Sequence, residues 1–125
     1  MSLTIIESHT RQQWQAVADK AKSRVETRLF IDGEYTDALT GGRFATINPA
    51  TGETIAEMSE GLSADIDRAV ASARAAFRSG VWSKIAPRER MDILYAFAEQ
   101  VDQHAEELAV LETLDMGKPI GDVVA

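Results

Sequence analysis

Hydrophobic residues recur along this chain with two periods, and each change of period marks a new element. Between Gln12 and Val25, the apolar positions Trp14, Val17, Ala18, Ala21 and Val25 return at helical spacing, with Arg11, Asp19, Lys20, Lys22 and Arg24 among them. An amphipathic helix lying on another element is predicted there. The period then shortens. Two β-prone runs within Arg28 to Thr36 flank Asp32-Gly33, a pair that supplies the positive φ angles of a type I′ turn, so a tight hairpin is expected. Phe30 and Tyr35 read as its packing residues rather than as ligand platforms. After the Gly41-Gly42 break, Arg43 to Asn48 reads as a strand, Pro49 to Gly52 as a turn and Glu53 to Met58 as the returning strand.

Helical spacing resumes after Ser63, which reads as an N-cap, with Asp65 and Asp67 placing negative charge against the helix dipole in the first turn. Ile66, Ala69, Val70, Ala73, Ala76 and Phe77 form one face, whose alanines predict close, narrow packing before Gly80 ends the helix. Trp82 is expected to anchor the connector, and Pro87 to occupy the first position of a third helix. Met91, Leu94, Tyr95, Ala98 and Val101, then Leu108, Leu111 and Leu114, continue the pattern as one long helix or as two joined near Gln103-His104. Gly117 closes the last full helix, Pro119 blocks its continuation, and a short further helix begins after it.

Composition narrows the functional classes. The chain has 125 residues, 45% hydrophobic and 26% charged, enough for a core and too apolar for disorder. A net charge of -7 disfavours nucleic acid and anionic membrane surfaces, since both demand concentrated Lys and Arg. No stretch approaches the roughly 20 apolar residues of a membrane span. Met1-Ser2-Leu3-Thr4-Ile5-Ile6-Glu7 has no basic, long-apolar leader pattern, so a cytoplasmic location is expected. Cysteine is absent, which removes disulfides, thiolate metal sites and a thiol nucleophile from these residues. His9 and His104 belong to no zinc-type cluster and read as solvated or capping side chains, and Glu106, Glu107 and Glu112 as a wet helix face. Asn48-Pro-Ala-Thr-Gly-Glu53 lacks P-loop spacing, so its glycine reads as turn chemistry.

Four segments in order, Leu29-Phe-Ile-Asp-Gly-Glu-Tyr35, Asn48-Pro-Ala-Thr-Gly-Glu53, Asp65 to Phe77 with Ala73-Arg-Ala-Ala-Phe77, and Leu111-Glu-Thr-Leu-Asp-Met-Gly-Lys-Pro119, resemble the N-terminal region of NAD(P)-dependent aldehyde dehydrogenases. The helix around Trp14 and the Ala105 to Leu114 run look most like the bacterial enzymes that oxidise γ-glutamyl-γ-aminobutyraldehyde in putrescine breakdown. Betaine-aldehyde and other broad-range members share much of this region.

The resemblance implies an α/β parent enzyme with a Rossmann-like cofactor domain. Residues 1–125 would be the N-terminal part of that domain, an α+β fragment with two β-hairpins and three or four amphipathic helices, lacking the catalytic and oligomerisation domains. The implied reaction is oxidation of an aldehyde, of aminoaldehyde type, to a carboxylic acid. A cysteine thiolate adds to the carbonyl, hydride passes to NAD or NADP, and water releases the acid. Neither catalytic nor cofactor-binding residues fall in this chain, so alone it is expected to be silent and to bind no cofactor. The expected partners are the remainder of the enzyme chain and, in the parent, a small aldehyde and further subunits of a homodimer or homotetramer.

One family site carries over. Its monovalent cation would be held by backbone oxygens of Thr46 and Ile47 and by Asp115, a hard-cation donor set at a helix end where positive charge is favoured. The plainer role for Asp115 is that of a helix-end residue. A reading of another class is a truncated, stand-alone interaction or structural module, docking through exposed helix faces without catalysis.

Overall fold

The computed structural model describes residues 9–123. Its elements are α1 (Arg11–Lys22), β1 (Leu29–Ile31), β2 (Glu34–Thr36), β3 (Arg43–Ile47), β4 (Thr54–Ser59), α2 (Ser63–Ser79), α3 (Pro87–Gln103), α4 (Ala105–Met116) and α5 (Ile120–Val123). The two hairpins, the helices and the short helix after Pro119 are those expected, and the open choice near His104 resolves to two helices. The opening stretch Met1 to Glu7, read above as lacking a leader, lies outside the described residues. Among the described residues no helix is long and apolar enough to cross a membrane.

The fold divides into two compact units. The first comprises the stretch ending at Glu26, Ala45–Ala56 and the stretch beginning at Ala96; the second comprises Thr27–Phe44 and Glu57–Tyr95. In the first unit α1 lies on α4, with Ala18, Ala21 and Val110 as its buried centre and Trp14, Val17, Leu111, Leu114 and Ile120 around them. Small side chains at Ala18 and Ala21 let the helices approach closely. α1 starts at a Thr10-x-x-Gln13 capping box, in which the Thr10 hydroxyl accepts from Gln13 N–H at 3.3 Å and the Gln13 side chain accepts from Thr10 N–H at 2.8 Å. The helix ends at Lys22, so Val25, counted above on its apolar face, lies beyond it.

In the second unit, Asp32 (φ 58°) and Gly33 (φ 80°) form the predicted tight turn, pairing Leu29 with Thr36, Phe30 with Tyr35 and Ile31 with Glu34. The Phe30 and Tyr35 rings pack on each other with centroids 5.1 Å apart. β3 and β4, each with residues in both units, make the second antiparallel hairpin, whose turn, in the first unit, is closed by Asn48 N–H donating to Glu53 O at 2.9 Å. The Asn48 side chain adds an Asx turn by accepting from Ala50 N–H at 2.9 Å.

Helix α2 corrects three expectations. Its N-cap is Leu62, not Ser63, and Leu62 has no polar side chain to offer. Asp65 fills the role by reaching back to Leu62 N–H at 3.3 Å. More than a dipole partner, Asp65 is only 2% exposed; it also accepts from Leu39 N–H at 3.2 Å and faces Arg68 at 3.4 Å. The apolar face predicted to pack tightly is open instead: Ile66 is 56%, Val70 48% and Phe77 82% exposed. The side of α2 near the first hairpin carries Arg68, Ala71, Ser72 and Ala75, which line a 540 Å³ groove with Ile31, Asp32, Glu34 and Thr36. Small residues permit the backbone to approach the hairpin, and the bulky stripe is left on another side of the helix.

Trp82 is half-exposed rather than an anchor. The connector is held from α3, where Arg90 Nη1 donates to the Ile85 carbonyl at 3.0 Å and to those of Ser83 and Trp82 at 3.3 and 3.4 Å. Five N–H donors in a fixed fork suit guanidinium to gathering loop carbonyls.

Candidate functional site

The site that the sequence singles out belongs to the first unit. Asp115 stands in the last turn of α4, which Gly117 closes in the left-handed conformation (φ 73°) with its N–H donating to Thr113 O at 3.0 Å. A Cβ built on Gly117 would meet Pro49 Cγ at 3.0 Å, so the bare glycine is what admits the Asn48–Gly52 turn against the helix end. The motifs around Asn48-Pro49 and Met116-Gly117 are therefore one packed unit, although far apart in sequence.

Strand β3, leading into that turn, brings Thr46 to the same place. Its hydroxyl lies 2.7 Å from Asp115 Oδ1 and donates to it, since a carboxylate only accepts. A carboxylate at a helix C-terminus faces the negative end of the dipole, and the hydroxyl relieves part of that repulsion. Ile47 follows on the strand and is half-exposed; a main-chain carbonyl is the only oxygen acceptor it offers. Of the three residues, the structure joins Thr46 to Asp115 by their side chains, and Ile47 is the neighbour of Thr46 on β3.

The donor set is all oxygen with a single negative charge. No group of three or more His, Cys, Asp or Glu suited to a metal occurs among the described residues. That chemistry fits a hard cation of low charge better than a divalent ion needing several carboxylates or a softer metal needing nitrogen and sulfur. Beside the site, Lys118 Nζ sits 3.6 Å from Glu112 Oε1, a surface pair with both side chains over one third exposed.

Two clusters escaped sequence reasoning. His9 is neither solvated nor a cap: Nε2 lies 2.8 Å from Glu106 Oε1, and the ring stands edge-on to Trp14 with centroids 4.7 Å apart. His104 does cap, its Nδ1 lying 2.8 Å from the Gln100 carbonyl at the end of α3. Nor are the α4 glutamates simply wet. Glu106 pairs with His9, Glu107 with Arg24 at 3.4 Å and Glu112 with Lys118. The pairing of His9 with Glu106 spans 97 positions and leaves no local periodicity to read. The capping box at Thr10 and Gln13 was the available clue, because it fixes where the residue before α1 must point.

Residues 35–125 match the profile of the aldehyde dehydrogenase family. The chain belongs to that family. Its members are NAD(P)-dependent aldehyde dehydrogenases. Over 113 residues it is 48% identical to the NADP/NAD-dependent aldehyde dehydrogenase PuuC of Escherichia coli (strain K12), a match covering 90% of this chain and 22% of that protein. Among solved structures, a C302A mutant of the P. syringae indole-3-acetaldehyde dehydrogenase AldA in complex with NAD+ and IAA superposes with a TM-score of 0.88 at 47% identity, covering 94% of this chain and 23% of that one. The γ-glutamyl-γ-aminobutyraldehyde dehydrogenase of Burkholderia cenocepacia J2315 superposes with a TM-score of 0.86 at 41% identity, covering 91% and 23%. The chain thus spans less than a quarter of each of these three relatives, and the portion it spans has the aldehyde dehydrogenase fold.

Proposed function

We propose that residues 1–125 form the N-terminal part of the cofactor-binding domain of a cytoplasmic NAD(P)-dependent aldehyde dehydrogenase that oxidises an aminoaldehyde-type substrate, of the kind met in putrescine breakdown. The observation that supports it most is likeness over nine-tenths of this chain to an NADP/NAD-dependent aldehyde dehydrogenase. It is joined by a matching fold in an enzyme named for γ-glutamyl-γ-aminobutyraldehyde. NAD or NADP, when bound, supplies the hydride acceptor. These residues contain no cysteine, so the nucleophile is assigned outside them. Their own part is to scaffold the domain and, through Thr46, Ile47 and Asp115, to hold a monovalent cation that ties β3 to the end of α4. A homodimer or homotetramer is the assembly in this proposal.

The test is aldehyde-dependent reduction of NAD and NADP by the protein in its natural full length, with γ-glutamyl-γ-aminobutyraldehyde, betaine aldehyde and indole-3-acetaldehyde in parallel. Preferential turnover of the first is expected. Preference for indole-3-acetaldehyde would remove the aminoaldehyde assignment, and reduction of neither cofactor would remove the activity.

The open stripe of Ile66, Val70 and Phe77 favours one alternative, a stand-alone interaction module that docks through α2 without catalysis. A monodisperse, cooperatively melting monomer formed by residues 1–125, seen by light scattering and calorimetry, would support that alternative. Association or aggregation would support a segment made to be covered by the rest of an enzyme.

A further inference from the structure

The groove between the first hairpin and α2 carries opposite charges at its two ends. Side chains alternate along β2, so Glu34 and Thr36 line the groove with Ile31 while Tyr35 stacks on Phe30 on the other face. At the turn end the Ser72 hydroxyl donates to Asp32 Oδ1 at 3.0 Å, and Glu34 follows directly after the turn. Thr36 marks the other end: it pairs with Leu29, whose side chain comes within 3.4 Å of a Cβ built on Gly61, just before α2 begins. Arg68 belongs to that end, since it precedes Ser72 by four residues, one helical turn or about 6 Å along the axis. The volume of 540 Å³ is that of a small-ligand site.

We propose that this groove binds a short zwitterion, an ω-amino acid whose ammonium meets Asp32 and Glu34 and whose carboxylate meets Arg68. The charges have capacity to spare. Glu34 has no ion-pair partner among the described residues, and Asp32 is met only by a neutral hydroxyl. Arg68 faces Asp65 at 3.4 Å through one nitrogen, but Asp65 also serves the amides of Leu39 and Leu62, and the guanidinium has further N–H donors on a side chain that is 42% exposed. A plain amine would leave the guanidinium unanswered, and a plain carboxylate would meet repulsion from Asp32 and Glu34, so both charges are needed on one ligand. A separation of about 6 Å corresponds to roughly three or four methylenes between them, and Ala71, Ala75 and Ile31 offer those methylenes an apolar wall. The groove belongs wholly to the second unit and shares no residue with the Thr46–Asp115 pair, so it stands independently of the cation assignment.

Amide hydrogen exchange of the protein in its natural full length tests the site, with δ-aminovalerate, pentylamine and pentanoate titrated separately at constant ionic strength. Saturable protection of segments 31–36 and 68–75 by δ-aminovalerate is expected, with pentylamine and pentanoate needing roughly fivefold higher concentrations for the same effect. Glu34→Gln, at an exposed side chain with no partner to lose, and Arg68→Gln are each expected to raise the half-saturating concentration of δ-aminovalerate roughly fivefold, whereas Glu99→Gln on α3 leaves it unchanged. The absence of saturable protection in the unmodified protein would overturn the site. Pentylamine or pentanoate matching δ-aminovalerate would overturn it as well, and so would a half-saturation that Glu34→Gln does not move.

Discussion

The Thr46 hydroxyl and the Asp115 carboxylate, 69 positions apart, meet at 2.7 Å. The contact joins β3 to the last turn of α4, on the helix that also carries Glu106 and Val110. Thr46→Val keeps the β-branched shape and deletes the donor, leaving Asp115 alone against the helix dipole. A loss of about 1 kcal/mol in equilibrium urea unfolding is expected, the ordinary net worth of a hydrogen bond. An unchanged midpoint and slope would show that water replaces the hydroxyl at no cost. In the full-length protein, addition of KCl in place of a matched organic cation is expected to raise the melting temperature, and Asp115→Ala to remove that rise. No specific potassium effect on the unmodified protein would dispose of the cation assignment.

Gly117 and Gly121 offer a paired test. Gly117 has φ 73°, and an added Cβ would meet Pro49 at 3.0 Å; at Gly121 nothing lies within 4 Å and no positive φ is present. Gly117→Ala is expected to cost about 1–2 kcal/mol, from left-handed strain plus displacement of the Asn48–Gly52 turn. Gly121→Ala, within α5, is expected to be neutral or mildly stabilising. Similar effects at the two positions, measured by denaturant melts, would mean that the turn against the helix end gives way freely.

Asp65 is the buried carboxylate that links the Leu39 loop to the start of α2. It is almost wholly buried and accepts from the amides of Leu39 and Leu62 while facing Arg68. Asp65→Ala strands both amides, while the exposed Arg68 guanidinium keeps its access to water, and a loss on the order of 2 kcal/mol is expected. Asp65→Asn retains one acceptor oxygen and should lose roughly a third of that. If the two variants unfold at the same denaturant concentration, charge rather than hydrogen-bond acceptance holds the Leu39 loop to α2.

Local stereochemistry was legible in the sequence; placement across the chain was legible only in part. Asp32-Gly33, Gly117 and Pro87 each carry their backbone requirement in their own residue type, so the turn, the helix stop and the start of α3 appear where expected. Thr46 and Asp115 were paired only by likeness to a family, because nothing in their neighbourhoods points across 69 positions. The exposure of the apolar stripe of α2 has a physical reason. Periodicity marks its bulkiest stripe, whereas the hairpin lies nearer the side of Ala71, Ser72 and Ala75, where close approach is possible. His9 was misjudged for lack of a neighbouring ligand; its partner comes from α4, which only the docking of α1 supplies.

The turn of the first hairpin isolates backbone strain from packing. Gly33 has φ 80° with nothing within 4 Å of a built Cβ, so a side chain there meets no steric obstacle beyond its own backbone. Gly33→Ala is expected to cost about 1 kcal/mol, the penalty for holding a Cβ-bearing residue in the left-handed region. Gly33→Asn should cost less than half as much, because its short amide tolerates that region. Asp32, already at φ 58°, also accepts from the Ser72 hydroxyl at 3.0 Å, so Asp32→Asn keeps both the tolerance and the oxygen and should be close to neutral. The order Asp32→Asn, Gly33→Asn, Gly33→Ala, from least to most destabilising in urea melts, is the expected result. An order in which Gly33→Asn matches Gly33→Ala would show that the turn relaxes out of its type I′ geometry instead of bearing the strain.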